Sequence, residues 1–268
     1  MAHTMKARLK RFIADLILKR KDANISLVSF LGVELYGYNN QKTTQKLKLG
    51  VYEEIDELNF LKDNFHIDDV FLDIGANMGI YTILASKYVE KVIAFEPIKK
   101  NTALINLSLV NSNSENCLIY QNIVSNQDDK IQFLEVSESG LSRAITTNSD
   151  TVMKQINDEY GKLETNIDEY KCITIDSLNL DRIDIMKIDV EGFELKVIDG
   201  AIETLKRCRP RLIMIEVVES AMVLNGDKPK DLVVVLNKLG YSPKILSKGR
   251  LVEYVDQKIP RDNLFFSL

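Results

Sequence analysis

Four acidic residues of this chain stand at the ends of short apolar runs. Asp73 and Glu96 close the first two runs, and Asp189 and Glu216 close two later ones. If the runs are parallel strands, their carboxyl ends meet at one edge of a sheet, which is where open α/β sheets bind ligands. Carboxylates at such an edge can accept protons, bind hydroxyl groups or hold a cation.

A glycine-containing turn follows the first of these acids. Residues 70–79 read VFLDIGANMG, in which an apolar run and Asp73 precede a Gly-x-Asn-x-Gly turn. A helical pattern comes next, and the order strand, tight turn, helix is typical of the first βα unit of a nucleotide-binding sheet. Gly75 and Gly79 lack a Cβ, so the backbone can lie close to a ligand. Glu96 stands where such folds place an acid on ribose hydroxyls.

The turn favours S-adenosylmethionine (SAM) over a dinucleotide. A dinucleotide site uses Gly-x-Gly-x-x-Gly, but here Asn77 replaces the middle glycine and the last glycine comes one residue early. The carboxylate of Asp73 suits a ligand that carries an ammonium group and no phosphate. SAM has that ammonium, a sulfonium and a ribose diol. The alternatives are an ordinary βα turn without a ligand and a nicotinamide-dependent oxidoreductase.

A second group of charged residues interrupts the run at 183–194, IDIMKIDVEGFE. Strand periodicity places Lys187, Asp189 and Glu191 on one side. Charges inside a central strand are costly unless they are paired or functional. We therefore expect a proton-accepting centre, with Asp189 as the first candidate base, Glu191 or Glu216 as the second, and Lys187 as the orienting partner.

Several alternatives remain for these charged residues. Lys187 and Asp189 can form a structural ion pair, and Glu216 can pair with Arg209 or Arg211 nearby in sequence. Clustered carboxylates can also hold Mg²⁺ or Ca²⁺, so a divalent cation stays open although no metal ligands are predicted. The chain has two histidines, at positions 3 and 66, which argues against a histidine base or a zinc site.

Composition limits the class of protein. The chain has 268 residues, 45% of them apolar, which is enough for one large α/β domain with a short extension. A net charge of −4 argues against a dedicated nucleic-acid binder. Three widely spaced cysteines fit reduced thiols, and neither a membrane-spanning run nor a signal peptide is apparent, so we expect a cytoplasmic protein.

The first 50 residues are predicted to form an extension. Residues 5–20 have the apolar stripe of a helix, and residues 1–21 are basic, so this helix can pack on the domain, on a second subunit or on an anionic membrane. Residues 25–38 predict a hairpin and 39–46 a polar loop. The predicted division is an extension over 1–50 and a catalytic domain over 51–268.

The rest of the chain predicts a repeating α/β pattern. Helical spacing is found at 51–65, 78–89, 98–110, 194–207 and 229–239, and strands are predicted at 70–74, 91–96, 117–123, 183–189, 211–217, 241–246 and 264–268. The pattern breaks at 137–170, a polar stretch with a possible helix at 150–160. This stretch is a candidate lid over the substrate, or an uninvolved surface excursion.

Three motifs resemble those of the FkbM-type methyltransferases: VFLDIGANMGIYT at 70–82, VIAFEPIKKN at 92–101 and DIMKIDVEGFELKVIDGA at 184–201. The resemblance covers roughly residues 50–220. It implies the class I methyltransferase fold, a Rossmann-like, doubly wound, mostly parallel seven-stranded sheet with an antiparallel last strand. It also implies that SAM is the cofactor and S-adenosylhomocysteine the product.

The resemblance assigns roles by position. Residues of the turn would surround the methionine end of SAM, Glu96 would bind the ribose diol, and the end of the third strand would lie near the adenine. Asp189 would face the methyl group and the substrate. The implied cofactor-binding residues are Asp73, Gly75, Ala76, Asn77, Gly79, Glu96, Pro97, Asn122, Ile123 and Asp189.

The expected function is O-methylation of a hydroxyl on a sugar or another small metabolite. The alternatives are N-methylation of an amine or a protein, and a non-catalytic protein that uses the fold only to bind a partner. The expected partner is a hydroxylated small molecule, with no nucleic acid and no transmembrane segment. The N-terminal helix is a candidate for homodimer or peripheral contacts.

Overall fold

The computed structural model describes residues 24–146, 149–254 and 262–268, apart from the side chains of residues 139 and 262. The helix predicted at 5–20 lies outside these residues. No helix in the described part of the chain is long and apolar enough to cross a bilayer.

Strands and helices alternate through most of the chain. The strands are β1 Ile25–Phe30, β2 Val33–Tyr38, β3 Val70–Ile74, β4 Lys91–Phe95, β5 Cys117–Tyr120, β6 Ile123–Val124, β7 Lys130–Val136, β8 Arg143–Ile145, β9 Thr165–Ile173, β10 Ile185–Ile188, β11 Leu212–Val217, β12 Ser242–Ser247, β13 Arg250–Glu253 and β14 Asp262–Ser267. The helices are α1 Lys42–Leu49, α2 Ile55–Asn64, α3 Ile80–Ala85, α4 Lys99–Asn111, α5 Ser149–Tyr160, α6 Glu194–Asp199, α7 Ile202–Cys208, α8 Glu219–Leu224 and α9 Pro229–Lys238.

The main sheet has the order β13-β12-β14-β11-β10-β3-β4-β5. Strands β5, β4, β3, β10 and β11 run parallel, and β14 is antiparallel to its neighbours β11 and β12. The α/β class, the mostly parallel sheet and the antiparallel last strand are therefore confirmed. The sheet has eight strands where seven were expected, because the chain after β12 folds back as a hairpin and adds β13 at the edge.

The sheet is covered on both faces, as a doubly wound fold requires. Alternate strand residues enter two hydrophobic clusters. Phe71 and Ile185 belong to the cluster that includes α3 and α4, whereas Leu72 and Met186 belong to the cluster that includes α6, α7 and α9. The side chain of residue 187 therefore lies on the α3 face of the sheet.

The hairpin β1–β2 pairs antiparallel and packs on the α3 face. The hydroxyl of Ser108 in α4 accepts a hydrogen bond from the backbone N of Tyr36 at 2.9 Å. The helix α1 follows, where the sequence predicted a polar loop. That prediction was wrong because only Thr44 and Leu47 of α1 are buried, and two positions do not make a recognisable apolar stripe.

Residues 123–173 build a second sheet with the order β6-β9-β7-β8. The prediction of an irregular stretch at 137–170 was wrong, whereas the helix predicted at 150–160 is α5. The stretch looked irregular in sequence because five of the nine residues of β9 are exposed, and four of these five are polar. The predicted helix at 194–207 is divided into α6 and α7. Gly200 lies between them and packs against the carbonyl of Ser125 too closely for a Cβ.

Candidate active site

A cavity of about 430 Å³ lies at the carboxyl ends of the parallel strands. Its floor is formed by the ends of β3, β4, β10 and β11, and its walls by α1, the segment 52–54 and the second sheet. Of the residues predicted from the sequence, eleven line this cavity: Gly75, Ala76, Asn77, Glu96, Pro97, Asn122, Ile123, Lys187, Asp189, Glu191 and Glu216. Asp73 and Gly79, both within the described part of the chain, do not.

The glycines of the turn after β3 are required for packing against protein. A Cβ on Gly75 would overlap the carbonyl oxygen of Asp189, so this glycine lets β3 lie close to the end of β10. A Cβ on Gly79 would come within 2.8 Å of Ile105 in α4. Both have positive φ, as does Asn77 at +49°. These contacts bring the turn against two neighbouring elements and expose Asn77 to the cavity.

Glu96 is buried at the cavity wall and is held by three donors. Its Oε2 accepts the backbone N of Asn77 at 2.8 Å, and its Oε1 accepts the backbone N of Ile98 at 2.8 Å and Nδ2 of Asn101 at 3.2 Å. Burial raises the pKa of Glu96 to about 8. The donors fix the carboxyl group in one orientation, and its remaining lone pairs can accept hydrogen bonds from hydroxyl groups of a ligand.

Asp73 and Lys187 lie side by side on β3 and β10. Asp73 is fully buried, its Oδ2 accepts Thr82 Oγ1 at 2.6 Å, and burial raises its pKa despite the nearby charge of Lys187. Asp73 therefore lies beneath the cavity floor and does not line the cavity. A contact between its carboxylate and the cofactor stays a prediction.

Lys187 connects the buried acid to the cavity. Its Nζ lies 2.9 Å from Oδ2 of Asp189 and 4.7 Å from the centre of the Tyr81 ring. Burial acts to lower the pKa of Lys187, but the carboxylates of Asp189 and Asp73 outweigh this effect and raise it. For Asp189, burial acts to raise the pKa and the charge of Lys187 lowers it overall. The charge of Lys187 thus favours the ionised form of Asp189, whose side chain is 25% exposed.

Three carboxyl groups meet beside Lys187. Oxygens of Asp189, Glu191 and Glu216 all lie within 4.8 Å of one another. The charge of Asp189 and burial hold the pKa of Glu216 well above its ordinary value, which favours the protonated form of Glu216.

Arg143 of β8 pairs with the third acid. Its guanidinium lies 3.0 Å from Oε2 of Glu191, and its Nε donates to the carbonyl of Leu141 at 3.2 Å. Arg143 is buried, and it connects the second sheet to the loop that follows β10. The sequence did not predict this residue, because an arginine in a polar stretch without a motif gives no signal of its partner.

The loop after β10 is held in an unusual backbone conformation. Glu191 and Gly192 have φ of +54° and +102°, and a Cβ on Gly192 would overlap the carbonyl of Ala221. Oε1 of Glu194 accepts the backbone N of Gly192 at 2.9 Å, and burial raises the pKa of Glu194 to about 7. The loop thereby presents Asp189 and Glu191 together at the cavity.

Two tyrosines and a glutamate form a further polar group that the sequence did not reveal. Oε2 of Glu54 accepts the hydroxyl of Tyr52 at 2.7 Å and that of Tyr81 at 3.1 Å. Tyr81 also covers Lys187, so this group borders the cavity next to the charged centre. Tyr52 and Glu54 are close in sequence, and Tyr81 joins them only through the fold.

A second cavity of about 270 Å³ adjoins the first. It shares lining residues with the first cavity, among them Tyr160, Glu191 and Glu216. Its other walls come from α5, α2 and the segment after β11. Six glutamates line it together with Arg143: Glu53, Glu54, Glu57, Glu159, Glu191 and Glu216. The second sheet and α5 thus supply walls to both cavities.

The arrangement can take up a proton from a hydroxyl group. Asp189 is ionised and reaches the cavity, and its charge is balanced by a buried lysine. The carboxyl groups of Asp189, Glu191 and Glu216 offer oxygen ligands for a divalent cation. Lys187 and Arg143 already neutralise two of them, which weakens the attraction for a cation.

Comparison with known proteins gives consistent matches. A family model described as the methyltransferase FkbM domain matches residues 73–243. The hexuronic acid methyltransferase AglP of Haloferax volcanii is 23% identical over 233 residues, covering 83% of this chain and 86% of that protein.

Two solved structures are similar at lower identity. A methyltransferase FkbM from Methylobacillus flagellatus KT is 15% identical with a TM-score of 0.46, and the match covers 76% of this chain and 44% of that one. The present chain therefore spans less than half the length of that protein. The M. jannaschii tRNA m1G37 methyltransferase is 12% identical with a TM-score of 0.47, and the match covers 92% of this chain and 58% of that one.

Proposed function

Because the chain belongs to the FkbM methyltransferase family, a family of SAM-dependent methyltransferases, we propose that it methylates a hydroxyl group of a sugar or a similar small molecule. The observation that carries the proposal is the Lys187–Asp189 pair on the cavity wall, which provides an ionised carboxylate where a hydroxyl must lose its proton. The similar AglP protein acts on a hexuronic acid, which supports a sugar as acceptor.

The first cavity has the chemical groups that SAM requires. Glu96 offers carboxylate oxygens to a ribose diol, and Ile98, Ile123, Phe133 and Ala144 form an apolar wall suited to a purine. We assign Gly75, Ala76 and Asn77 to the turn beside the amino-acid part of the cofactor, and Pro97 and Asn122 to the nucleoside part. Asp73 and Gly79 support that turn without lining the cavity.

When bound, SAM supplies a methyl group on a positively charged sulfur. Transfer of this methyl group would join it to the acceptor oxygen, leave the electron pair of its former bond on sulfur and release the hydroxyl proton, so a base is required beside the acceptor. Asp189 takes that proton. Because Lys187 keeps the pKa of Asp189 low, we expect transfer late in the reaction, when the attacking oxygen has become acidic. Alignment of the acceptor is the protein's main contribution.

Calorimetry with S-adenosylhomocysteine, using NAD⁺ as control ligand, tests the cofactor assignment. We expect micromolar binding of the former and none of the latter. Replacing Asp189 by Asn then tests its role, since turnover should fall at least a hundred-fold while affinity for S-adenosylhomocysteine changes little. Equal losses of turnover and affinity would reject Asp189 as the base.

One observation favours N-methylation of an amine as a second candidate. The second cavity has six glutamates against one arginine, and such a wall attracts an ammonium group and repels a carboxylate. Methylation assays with methyl glycosides of glucose, glucosamine and glucuronic acid compare acceptors that differ mainly in charge. We expect the glucuronide to be the poorest substrate. The position of the new methyl group, read by NMR, separates O- from N-transfer.

A further inference from the structure

We infer that the first turn of α1, through the side chains of Lys42 and Thr43, binds the carboxylate of the methionine part of the cofactor. This inference rests on the proposed function. Lys42, Thr43 and Lys46 line the first cavity, while Thr44 and Leu47 of the same helix are buried in the hydrophobic core. The helix thus presents one polar face to the cavity.

The helix is fixed against the turn that follows β3. Oγ1 of Thr44 lies 4.0 Å from Sδ of Met78, which is part of that turn. A Cβ on Gly37 would overlap Thr44 and come within 2.7 Å of Met78, so β2, α1 and the turn are in direct contact. At the start of the helix, Oε2 of Glu138 accepts the backbone N of Lys42 at 3.3 Å. These contacts hold Lys42 and Thr43 on the same side of the cavity as the turn.

The charges of the cavity indicate why a carboxylate would bind there. Seven acids line it: Glu53, Glu54, Glu96, Glu138, Asp189, Glu191 and Glu216. Among its described lining residues the cations are Lys42, Lys46 and Lys187. Lys187 is buried against Asp189, and Lys46 forms an ion pair with Glu53. A ligand carboxylate would be repelled by most of the wall, and Lys42 is the cation best placed to receive it.

With the nucleoside at the Glu96 end of the cavity, the position beside α1 remains for the methionine part of the cofactor. Glu96 and Ile98 follow β4, and Ile123 and Phe133 belong to β6 and β7, whereas α1 contacts the turn that follows β3. With the ribose at Glu96 and the reacting methyl group at Asp189, the methionine tail extends along the turn toward α1. A lysine and a threonine hydroxyl can together satisfy a carboxylate.

The test combines truncation of the ligand with truncation of the side chain. S-adenosylhomocysteine is compared with S-adenosyl-3-thiopropylamine, which keeps the adenosine, sulfur and amine but lacks the carboxylate. We expect K42M to weaken binding of S-adenosylhomocysteine about ten-fold, as loss of a charge-assisted hydrogen bond should. Binding of the amine analogue should stay within two-fold. T43V should also weaken binding of S-adenosylhomocysteine more than binding of the amine analogue, but the loss of affinity should be smaller than in K42M.

Lys48→Met is the matched control, because Lys48 is on the same helix but bonds to Asn39 and does not line the cavity. It should leave both affinities unchanged. The inference would be overturned if K42M weakened binding of both ligands equally, or if it did not weaken binding of S-adenosylhomocysteine. Failure of the unmodified protein to bind either ligand would instead reject the proposed function. Circular dichroism of each variant confirms that α1 is retained.

Discussion

The ammonium group of Lys187 lies 2.9 Å from the carboxylate of Asp189, and the strand neighbour of Lys187 is the fully buried Asp73. One lysine thus balances an acid beneath the cavity floor and another at its surface. Burying these three charges is favourable only as a set, because each acid alone would meet a large desolvation cost. The packing of the sheet and the charge of the base therefore depend on the same side chain.

Replacing Lys187 by Met should destabilise the protein by about 3–5 kcal/mol, since it leaves Asp73 and Asp189 without their cation. The pKa of Asp189 should rise, because the charge of Lys187 is what lowers it. As the pH is lowered, the activity that the variant retains should therefore be lost at a higher pH than the activity of the unmodified protein. Urea unfolding and a pH–rate profile measure the two effects. Lys206→Met removes an exposed ion pair with Glu203 and should change neither the stability nor the pH–rate profile.

Glu96 should make cofactor binding dependent on pH. Its pKa is raised to about 8, so it is mostly protonated at pH 7, whereas a diol binds best to the ionised form. We expect affinity for S-adenosylhomocysteine to increase from pH 6 to about 8 and then level off. Binding at pH 7 should release close to one proton, measured by calorimetry in two buffers of different ionisation enthalpy. Constant affinity from pH 6 to 9 would contradict this role, and E96A should lose most of the affinity.

The same carboxyl group should affect stability without ligand. Because its pKa is above the ordinary value of 4.5, the folded state holds the proton more tightly than the unfolded state does. Its contribution to stability is therefore fully present below pH 4.5 and declines as the pH rises to about 8. The free energy of unfolding can be measured at pH 5 and pH 8 for the unmodified protein and for E96A. Its decrease between the two pH values should be smaller in E96A.

Arg143 should hold the second sheet to the loop that carries Glu191. R143M removes the 3.0 Å ion pair and leaves Glu191 next to two other carboxyl groups. We expect faster amide hydrogen exchange at residues 139–146 and 190–192, with affinity for S-adenosylhomocysteine within two-fold of the unmodified protein. R182M is the control, because Arg182 pairs with Asp68 and Asp184 at the surface and lines neither cavity. Unchanged exchange in R143M would show that the second sheet is held by packing alone.

A divalent cation should not be required. Lys187 and Arg143 already balance two of the three clustered acids, so the oxygen ligands offer little net charge to Mg²⁺ or Ca²⁺. We expect calorimetry with either chloride salt to show no saturable heat, and EDTA to leave methyl transfer intact. Binding in the micromolar range that is lost in E191Q would identify the cluster as a metal site instead.

The sequence was sufficient to predict seven of the eight strands of the main sheet, because its central strands are apolar runs that end in acids. It also predicted the pairing of Lys187 with Asp189, since both stand on one face of a strand in which charges are costly. It could not predict that Asp73 is covered, because burial depends on how α3 packs over β3. Arg143 and α1 were missed because their partners are far away in the chain and no periodicity marks them. Tyr52 and Glu54 were missed because Tyr81, which completes their group, is 27 residues beyond Glu54.

One continuous stretch of the chain, between β5 and β10, forms the second sheet and supplies walls to both cavities. Glu96 and Asp189 follow strands of the main sheet, whereas Ile123, Phe133 and Arg143 belong to this stretch. Replacement of the stretch would therefore reshape the apolar wall and the second cavity while both carboxyl groups keep their positions.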